Sequence, residues 1–292
     1  MMMGSGRSAT RFYAQGAPRW WPFQLVSLAN QRLPPKRYGF YSILVDNGMW
    51  AFGKDGGRPD LDKWYHRLLV FVRDVERLRR PEEIVVVLPD WLGDFDFTLE
   101  AARHPLASRL CRDYHCLVVV HTSSRFLWAP EGGSYGYAAS IYASLDYVHG
   151  LAAPLKLPCL KYDSRARRRI VDRRGLGCQL NIILQVCSVA RKYSTSCHGL
   201  GLVLDPIHVR KAVEAGLGSF DSTSWTRPNQ SVVKRYLGSE RIRRGEVSAK
   251  TMGEKELFFL LKLAQLVEAG VSLESPEVSL LVGEKLRFTC FL

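Results

Sequence analysis

Apolar runs of the length of a buried strand alternate with helical patterns along most of this chain. The runs that predict strands are FQLVSLAN, YGFYSILVD, EEIVVVLPD, CLVVVHT, LKLPCLKY, CHGLGLVL and GSFDST. Helical periodicity predicts helices within 60–80, 97–114, 136–150, 171–193, 206–216 and 254–270. A strand, helix, strand order at this spacing is typical of a parallel sheet with right-handed crossovers.

The number of these units determines the fold prediction. Six units and a further run near the start approach the eight of a (β/α)8 TIM-like barrel, which we expect as an α/β single domain. An open doubly wound sheet is the alternative. The prediction assigns 1–20 to a flexible basic N-terminal tail, 21–271 to the catalytic barrel and 272–292 to a C-terminal tail that packs on the barrel.

The charge of the chain indicates a polyanionic partner. It has 41 Lys and Arg against 28 Asp and Glu, a net charge of +13, and a pI near 9.6. Nucleic acid is the simplest such partner, and a solubility function is the alternative. Seven cysteines without CxxC spacing predict no metal site and favour a reducing, cytoplasmic setting. No apolar run approaches the length of a membrane span, so we expect no membrane partner.

Three aspartates follow predicted strands. Asp46, Asp90 and Asp221 occur in VDNG, LPDW and FDST, at or near the carboxyl ends of their strands. In parallel sheets this edge binds ligands, although a single aspartate there is more often a helix cap or turn residue. Three in equivalent places favour a site. Carboxylates at one rim suit chemistry at the anomeric carbon of a sugar, where one attacks and another carries a proton.

These segments resemble the tRNA-guanine transglycosylase family. In that family's nucleophile segment, four residues separate an aspartate from a Thr-Arg pair, and in SFDSTSWTR the residues Asp221, Thr226 and Arg227 match this spacing. LVDNGMWAF is similar to the family's Asp-Ser-Gly-Gly-Phe-Gln motif, with Asp46 on the acid/base aspartate. VVVLPD is similar to the strand whose aspartate, here Asp90, reads the purine edge. The resemblance implies a (β/α)8 barrel over roughly residues 38 to 235.

The chain also departs from that family. No Cys-x-Cys-x-x-Cys motif follows Arg227, His121 and Thr122 stand where the family has Gln-Gly, and no appended RNA-binding domain fits after residue 270. In these differences the chain resembles the divergent, zinc-less branch of the family, which inserts 7-deazaguanines into DNA. We therefore expect neither a zinc subdomain nor an RNA-binding domain.

The resemblance implies a base-exchange reaction. Asp90 would bind the flipped-out guanine, Asp221 would attack C1′, and Asp46 would protonate the departing base and deprotonate the incoming 7-deazaguanine. No metal or redox cofactor is expected. The partners would be DNA, favoured over tRNA, a free 7-deazaguanine base and accessory protein subunits.

Further residues are candidates for binding. For the base, the candidates beside Asp90 are Asn47, Gly48, His121, His198, Gly199 and Lys161. For the phosphate backbone, the candidates are Arg227, Arg165, Arg167, Arg168, Lys234 and Arg235. Purely structural roles remain alternatives for these residues. A histidine is more often packed or hydrogen-bonded within the protein than catalytic, and a run of arginines is as often a solvated surface as a phosphate-binding one.

Two further functions are alternatives to base exchange. An N-glycosidase would use water in place of the incoming base. A catalytically inactive barrel would only bind nucleic acid, although such a barrel would not require three rim carboxylates.

Overall fold

Eight parallel strands form a closed barrel in the computed structural model of the chain. The structure describes residues 9–18, 20–34, 41–49, 58–91, 95–120, 133–140, 160–163, 168–171, 175–202, 205–222 and 252–273. The barrel strands are β1 (Arg11–Gln15), β2 (Phe23–Ser27), β3 (Ser42–Asp46), β4 (Ile84–Val87), β5 (His115–Val120), β6 (Tyr135–Ser140), β9 (Ser196–Leu200) and β10 (Ser219–Asp221). Around the barrel their order is β1-β10-β9-β6-β5-β4-β3-β2.

Helices lie between the strands and after the last one. They are α1 (Leu61–Glu76), α2 (Phe95–Arg103), α3 (Pro105–Asp113), α4 (Gly175–Lys192), α5 (Pro206–Glu214) and α6 (Met252–Glu268), with a 3-10 turn at Pro81–Glu83. This arrangement is a (β/α)8 TIM-like barrel, as the alternation of patterns predicts. Within the described residues, every helix is too short or too polar to cross a membrane.

Strand register separates an inner face from an outer face. Phe12 of β1 is opposite Phe220 of β10, and its ring stacks on Phe220 and on Phe259 of α6, at centroid distances of 4.9 and 5.9 Å. These side chains therefore face the helices. Because successive strand residues point to opposite faces, the next pair in register, Tyr13 and Asp221, faces the barrel interior.

Local signals place several helices where the sequence predicts them. Asp60 caps α1 by accepting a hydrogen bond from the Lys63 N–H. Asp205 caps α5 by accepting from the His208 N–H, and Gly216 follows with a φ of +104°. The predicted break near Pro105 is confirmed, because α2 ends at Arg103 and α3 begins at Pro105.

Three predictions about elements are wrong. Residues 11–15, expected in a flexible tail, form barrel strand β1. Residues 136–140, expected to begin a helix, belong to β6, which pairs with β5 and β9. Residues 160–163, expected to end a barrel strand, form β7 (Leu160–Asp163), which pairs in antiparallel fashion with β8 (Arg168–Val171) as a separate two-stranded sheet.

The correction at β1 leads to a stability prediction. Phe12 is 0% exposed, so Phe12→Ala should leave a cavity between barrel and helices and lower the free energy of unfolding by about 3 to 5 kcal/mol. Denaturant unfolding followed by far-UV circular dichroism measures this loss. Tyr193→Ala, at a ring that is 54% exposed, is the aromatic control and should cost about 1 kcal/mol or less. Equal losses would contradict the packing role of β1.

Candidate active site

Three aspartates meet at the carboxyl edge of the barrel. Asp46 is the last residue of β3 and Asp221 the last of β10, while Asp90 follows the end of β4 by three residues. Asp46 is opposite Ser27 of β2, and Asp221 is opposite Tyr13. The charges of Asp221 and Asp90 both raise the pKa of Asp46, so the three carboxylates share one electrostatic environment.

Asp46 is held in a polar turn at the rim. Its Oδ2 accepts a hydrogen bond of 2.8 Å from the Ser27 hydroxyl, and its carboxylate also accepts from the Gly48 backbone N–H. Burial is the largest influence and raises the pKa of Asp46 to about 6, with the neighbouring carboxylates adding to the shift. The two hydrogen bonds oppose the shift by stabilising the charged form. Asp46 is therefore suited to exchange a proton near neutral pH.

Glycine is required at the turn after Asp46. Gly48 has a φ of +74°, and a Cβ there would lie 2.5 Å from the backbone nitrogen of Ala29. Any other residue would combine backbone strain with a clash against main-chain atoms. The VDNG segment therefore folds tightly against the loop after β2, and this close approach brings the Gly48 N–H to Asp46.

Asn47 connects the turn to Asp90. Its side-chain amide donates to Asp90 Oδ1 at 2.9 Å and to the Leu88 carbonyl at 2.8 Å. Its Oδ1 accepts from the Met49 N–H at 2.8 Å. Asn47 is only 2% exposed, and through these hydrogen bonds it fixes the orientation of Asp90.

Asp221 receives two hydrogen bonds at one carboxylate oxygen. Its Oδ1 lies 3.1 Å from His198 Nε2 and accepts from the Gly201 backbone N–H at 2.8 Å. Gly201 has a φ of +63°, a backbone state that glycine adopts at low cost. Across the part of the chain that the structure describes, no hydrogen bond reaches Oδ2. Within the described residues, the carboxylate is thus anchored through Oδ1.

His198 lies beneath Asp221 rather than at the surface. It is 0% exposed, its Nδ1 lies 2.8 Å from the Ser219 hydroxyl, and the Tyr13 ring packs beside it at a centroid distance of 6.1 Å. The Tyr13 hydroxyl in turn lies 3.0 Å from the Ser42 hydroxyl. Of these residues, His198 contacts a rim carboxylate directly, and Tyr13 packs against His198.

The other predicted binding residues have different placements. Gly199 is opposite Phe220 in register, on the helix-facing side, where a Cβ would approach Leu202 at 2.9 Å. Lys161 and Arg168 lie on β7 and β8 of the two-stranded sheet, so the prediction that Lys161 ends a barrel strand is wrong. The predicted residues outside the described part of the chain are His121, Arg165, Arg167, Arg227, Lys234 and Arg235.

Three residues that form contacts at the site are not among the candidates predicted from the sequence. Ser27 ends the mostly apolar strand FQLVS, and this interruption could have identified it. Ser219 lies two residues before Asp221 on the strand SFD, so strand alternation could have placed it on the same face as Asp221. Gly201 is the second glycine of a short GLG segment, which as a motif is too weak to indicate a ligand.

The described residues contain no group of three or more His, Cys, Asp or Glu side chains arranged to hold a metal ion. Four cysteines of this part, Cys111, Cys116, Cys187 and Cys197, are buried as free thiols. The carboxylates of the site accept hydrogen bonds from protein donors instead. A carboxylate with a raised pKa, such as Asp46, can transfer a proton, and an anchored carboxylate, such as Asp221, can act as a nucleophile.

The raised pKa of Asp46 leads to a stability prediction. The folded state retains the Asp46 proton up to about pH 6, whereas the unfolded chain loses it near the ordinary value of 3.8. The ionised folded state therefore carries a penalty of up to about 3 kcal/mol that is absent below pH 4, grows between pH 4 and 6 and is constant above. Asp46→Asn should stabilise the protein at pH 7.5 but not at pH 4.

Urea unfolding at the two pH values measures the effect. Asp74→Asn, on the exposed side of α1, is the control and should change stability by less than about 0.5 kcal/mol at either pH. If Asp46→Asn is equally or less stable than the wild type at pH 7.5, the burial of an ionised Asp46 is not costly as inferred.

Comparisons with known proteins do not assign the chain to a family. No family model matches it, and no curated protein matches it. A solved structure of a proposed fructose-1,6-biphosphate aldolase from Coccidioides immitis is similar at 11% sequence identity and a TM-score of 0.34, over 90% of this chain and 92% of that chain.

Proposed function

We propose that the chain is a base-exchange transglycosylase that replaces guanine in nucleic acid by a 7-deazaguanine base through a covalent intermediate on Asp221. The observation that carries this proposal is the meeting of two differently held carboxylates at one barrel mouth. Asp46 has a pKa raised to about 6, and Asp221 is anchored at Oδ1 by two donors. A proton carrier beside an anchored nucleophile is what displacement at C1′ requires.

In the first half of the proposed reaction, Oδ2 of Asp221 attacks C1′ of the target nucleoside. The C1′–N9 bond breaks, and its electron pair passes to N9 of guanine. Protonated Asp46 donates its proton to a ring nitrogen of the departing guanine, so that a neutral guanine leaves. The target nucleotide must first turn out of the stack, because C1′ is not accessible to a barrel mouth within a duplex.

In the second half, the incoming base replaces guanine. Asp46, now ionised, accepts the proton from the 7-deazaguanine N9 as that nitrogen attacks C1′. The C1′–Oδ2 bond breaks, and its electron pair returns to the Asp221 carboxylate. Asp46 is again protonated and Asp221 again ionised, so the cycle closes with every proton and electron pair accounted for.

Asp90 would recognise the base. Asn47 holds its Oδ1 at 2.9 Å and is itself tied to the Leu88 carbonyl, so the Asp90 carboxylate has a fixed direction. A carboxylate accepts hydrogen bonds, and the N1–H and 2-amino group of guanine donate them. The same two donors are present in a 7-deazaguanine that keeps the guanine pyrimidine ring, so one residue would serve both the departing and the incoming base.

The polymer is proposed from charge and resemblance. A net charge of +13 favours a polyanion, and the similarity to the zinc-less branch favours DNA over tRNA. The predicted phosphate contacts, Arg165, Arg167, Arg168, Arg227, Lys234 and Arg235, belong to this proposal.

Exchange of radiolabelled guanine tests the activity on duplex DNA and on tRNA. The wild type should incorporate label and form an adduct with the polymer that survives denaturing electrophoresis. Asp221→Asn should abolish both, because an amide is a poor nucleophile, while Asp74→Asn on α1 should behave as wild type. Guanine release without incorporation would identify an N-glycosidase. The absence of guanine release and of a covalent adduct would overturn the proposal in favour of a binding role.

The pH dependence of adduct formation tests the role of Asp46. The first half-reaction needs protonated Asp46, so its rate should fall above about pH 6. The Ser27 hydroxyl stabilises the ionised form and lowers the pKa of Asp46. Ser27→Ala should therefore move the falling limb to higher pH, by about one unit for the loss of one hydrogen bond to a charged group.

Single-turnover rates between pH 5 and pH 9 measure this shift. Ser188→Ala, on an exposed position of α4, is the matched control and should leave the profile unchanged. A Ser27→Ala profile that coincides with the wild type would show that another group donates the proton.

A further inference from the structure

A continuous hydrogen-bonded chain leads from the barrel interior to Asp221. Ser219 and Asp221 are two residues apart on β10, so both side chains point inward. His198 of β9 is opposite Ser219 in register and contacts both, with Nδ1 2.8 Å from the Ser219 hydroxyl and Nε2 3.1 Å from Asp221 Oδ1. Since His198 is completely buried, it cannot contact a polymer or a base directly.

The geometry specifies where the imidazole proton lies. An unprotonated Nε2 would place its lone pair against an ionised carboxylate oxygen, which is repulsive, so Nε2 carries the proton and donates to Asp221. Nδ1 can then accept from the Ser219 hydroxyl, which has a proton to donate. In this arrangement the carboxylate of Asp221 selects the Nε2–H tautomer, and the Ser219 hydroxyl supports that tautomer by donating to Nδ1.

We propose that Ser219 and His198 form a positioning relay that directs Asp221 Oδ2 at C1′ and assists the return of Asp221 to a carboxylate. This inference rests on the proposed function and deepens it. Both donors on Asp221, His198 Nε2–H and the Gly201 N–H, meet Oδ1, and no hydrogen bond from the described residues reaches Oδ2. Oδ2 is thus the attacking oxygen, and Oδ1 becomes the carbonyl oxygen of the covalent ester.

The relay acts most strongly when the ester breaks down. As N9 of the incoming base attacks C1′, the electron pair of the C1′–Oδ2 bond returns to Asp221, and negative charge spreads onto Oδ1. Donors already placed at Oδ1 stabilise this charge without rearrangement. Loss of the His198 donor should therefore slow breakdown more than substrate binding, and the covalent adduct should accumulate relative to turnover.

Paired substitutions separate this role from simple packing. His198→Leu introduces an apolar side chain of similar volume and removes the hydrogen-bond donor. His198→Gln keeps an N–H at about the position of Nε2. With duplex DNA or tRNA and radiolabelled guanine, His198→Leu should lower the exchange rate about tenfold to a hundredfold, lower the KM for the polymer with it, and raise the adduct fraction at steady state. His198→Gln should recover a large part of the rate.

The outcomes distinguish the inference from the proposed function. If the wild type forms no adduct on either polymer, the proposed function fails and the relay fails with it. If the wild type forms an adduct but His198→Leu leaves its fraction unchanged, or if Leu and Gln variants behave alike, only the relay is overturned.

A measurement independent of activity covers the case in which His198→Leu does not fold. Nitrogen-15 NMR of the wild type should show His198 as the neutral Nε2–H tautomer, and Ser219→Ala should weaken that preference and raise the adduct fraction in the same direction as His198→Leu. A Nδ1–H tautomer in the wild type, or a Ser219→Ala variant with the wild-type adduct fraction, would overturn the relay.

Discussion

The parallel pairing of β1 with β10 closes the barrel, and the candidate site depends on it. β10 is only three residues long and ends at Asp221, so its position is set by its neighbours β1 and β9. On the outer face, the stacked rings of Phe12 and Phe220 hold the closure. On the inner face, the same register places Tyr13 beside His198. It also brings Asp221 to the barrel mouth, where Asp46 lies at the end of β3.

Closure concentrates like charges, and the protein compensates each one locally. Asp46 accepts from Ser27 and Gly48, Asp90 accepts from Asn47, and Asp221 accepts from His198 and Gly201. These donors do not cancel the cost, because the pKa of Asp46 still rises to about 6. A fold selected only for stability would replace Asp46 by a neutral residue. The penalty at Asp46 is therefore what marks this mouth as a candidate functional site.

The sequence predicts the carboxylates but not their supports. Asp46 and Asp221 stand out because each ends an apolar run, which is a local pattern. Ser27 lies 19 residues from Asp46 and His198 lies 23 residues from Asp221, so their roles appear only when strands pair. The sequence predicts Asn47 as a base contact, and only the structure shows that its amide donates to Asp90 and Leu88 and accepts from Met49.

The errors in element prediction have the same origin. GYAAS in 136–140 contains small residues that fit a helix, yet β5 and β9 pair with it on both sides, and tertiary pairing overrides a weak local preference. RFYAQ in β1 is short and follows a polar start, and LKYD in β7 resembles a barrel strand although it pairs elsewhere. The partners that decide β1 and β6 include strands far away in sequence, whereas β7 pairs with β8, the next strand along the chain.

By itself, therefore, the sequence determined the alternation of strands and helices, the helix caps and breaks, and the three aspartates that end or follow strands, because periodicity and capping act over a few residues. Only the tertiary structure decided that the barrel closes through β1, that the three carboxylates influence one another, and that His198 lies under Asp221. Register and closure depend on contacts between distant segments, and the electrostatics of the site follow from those contacts.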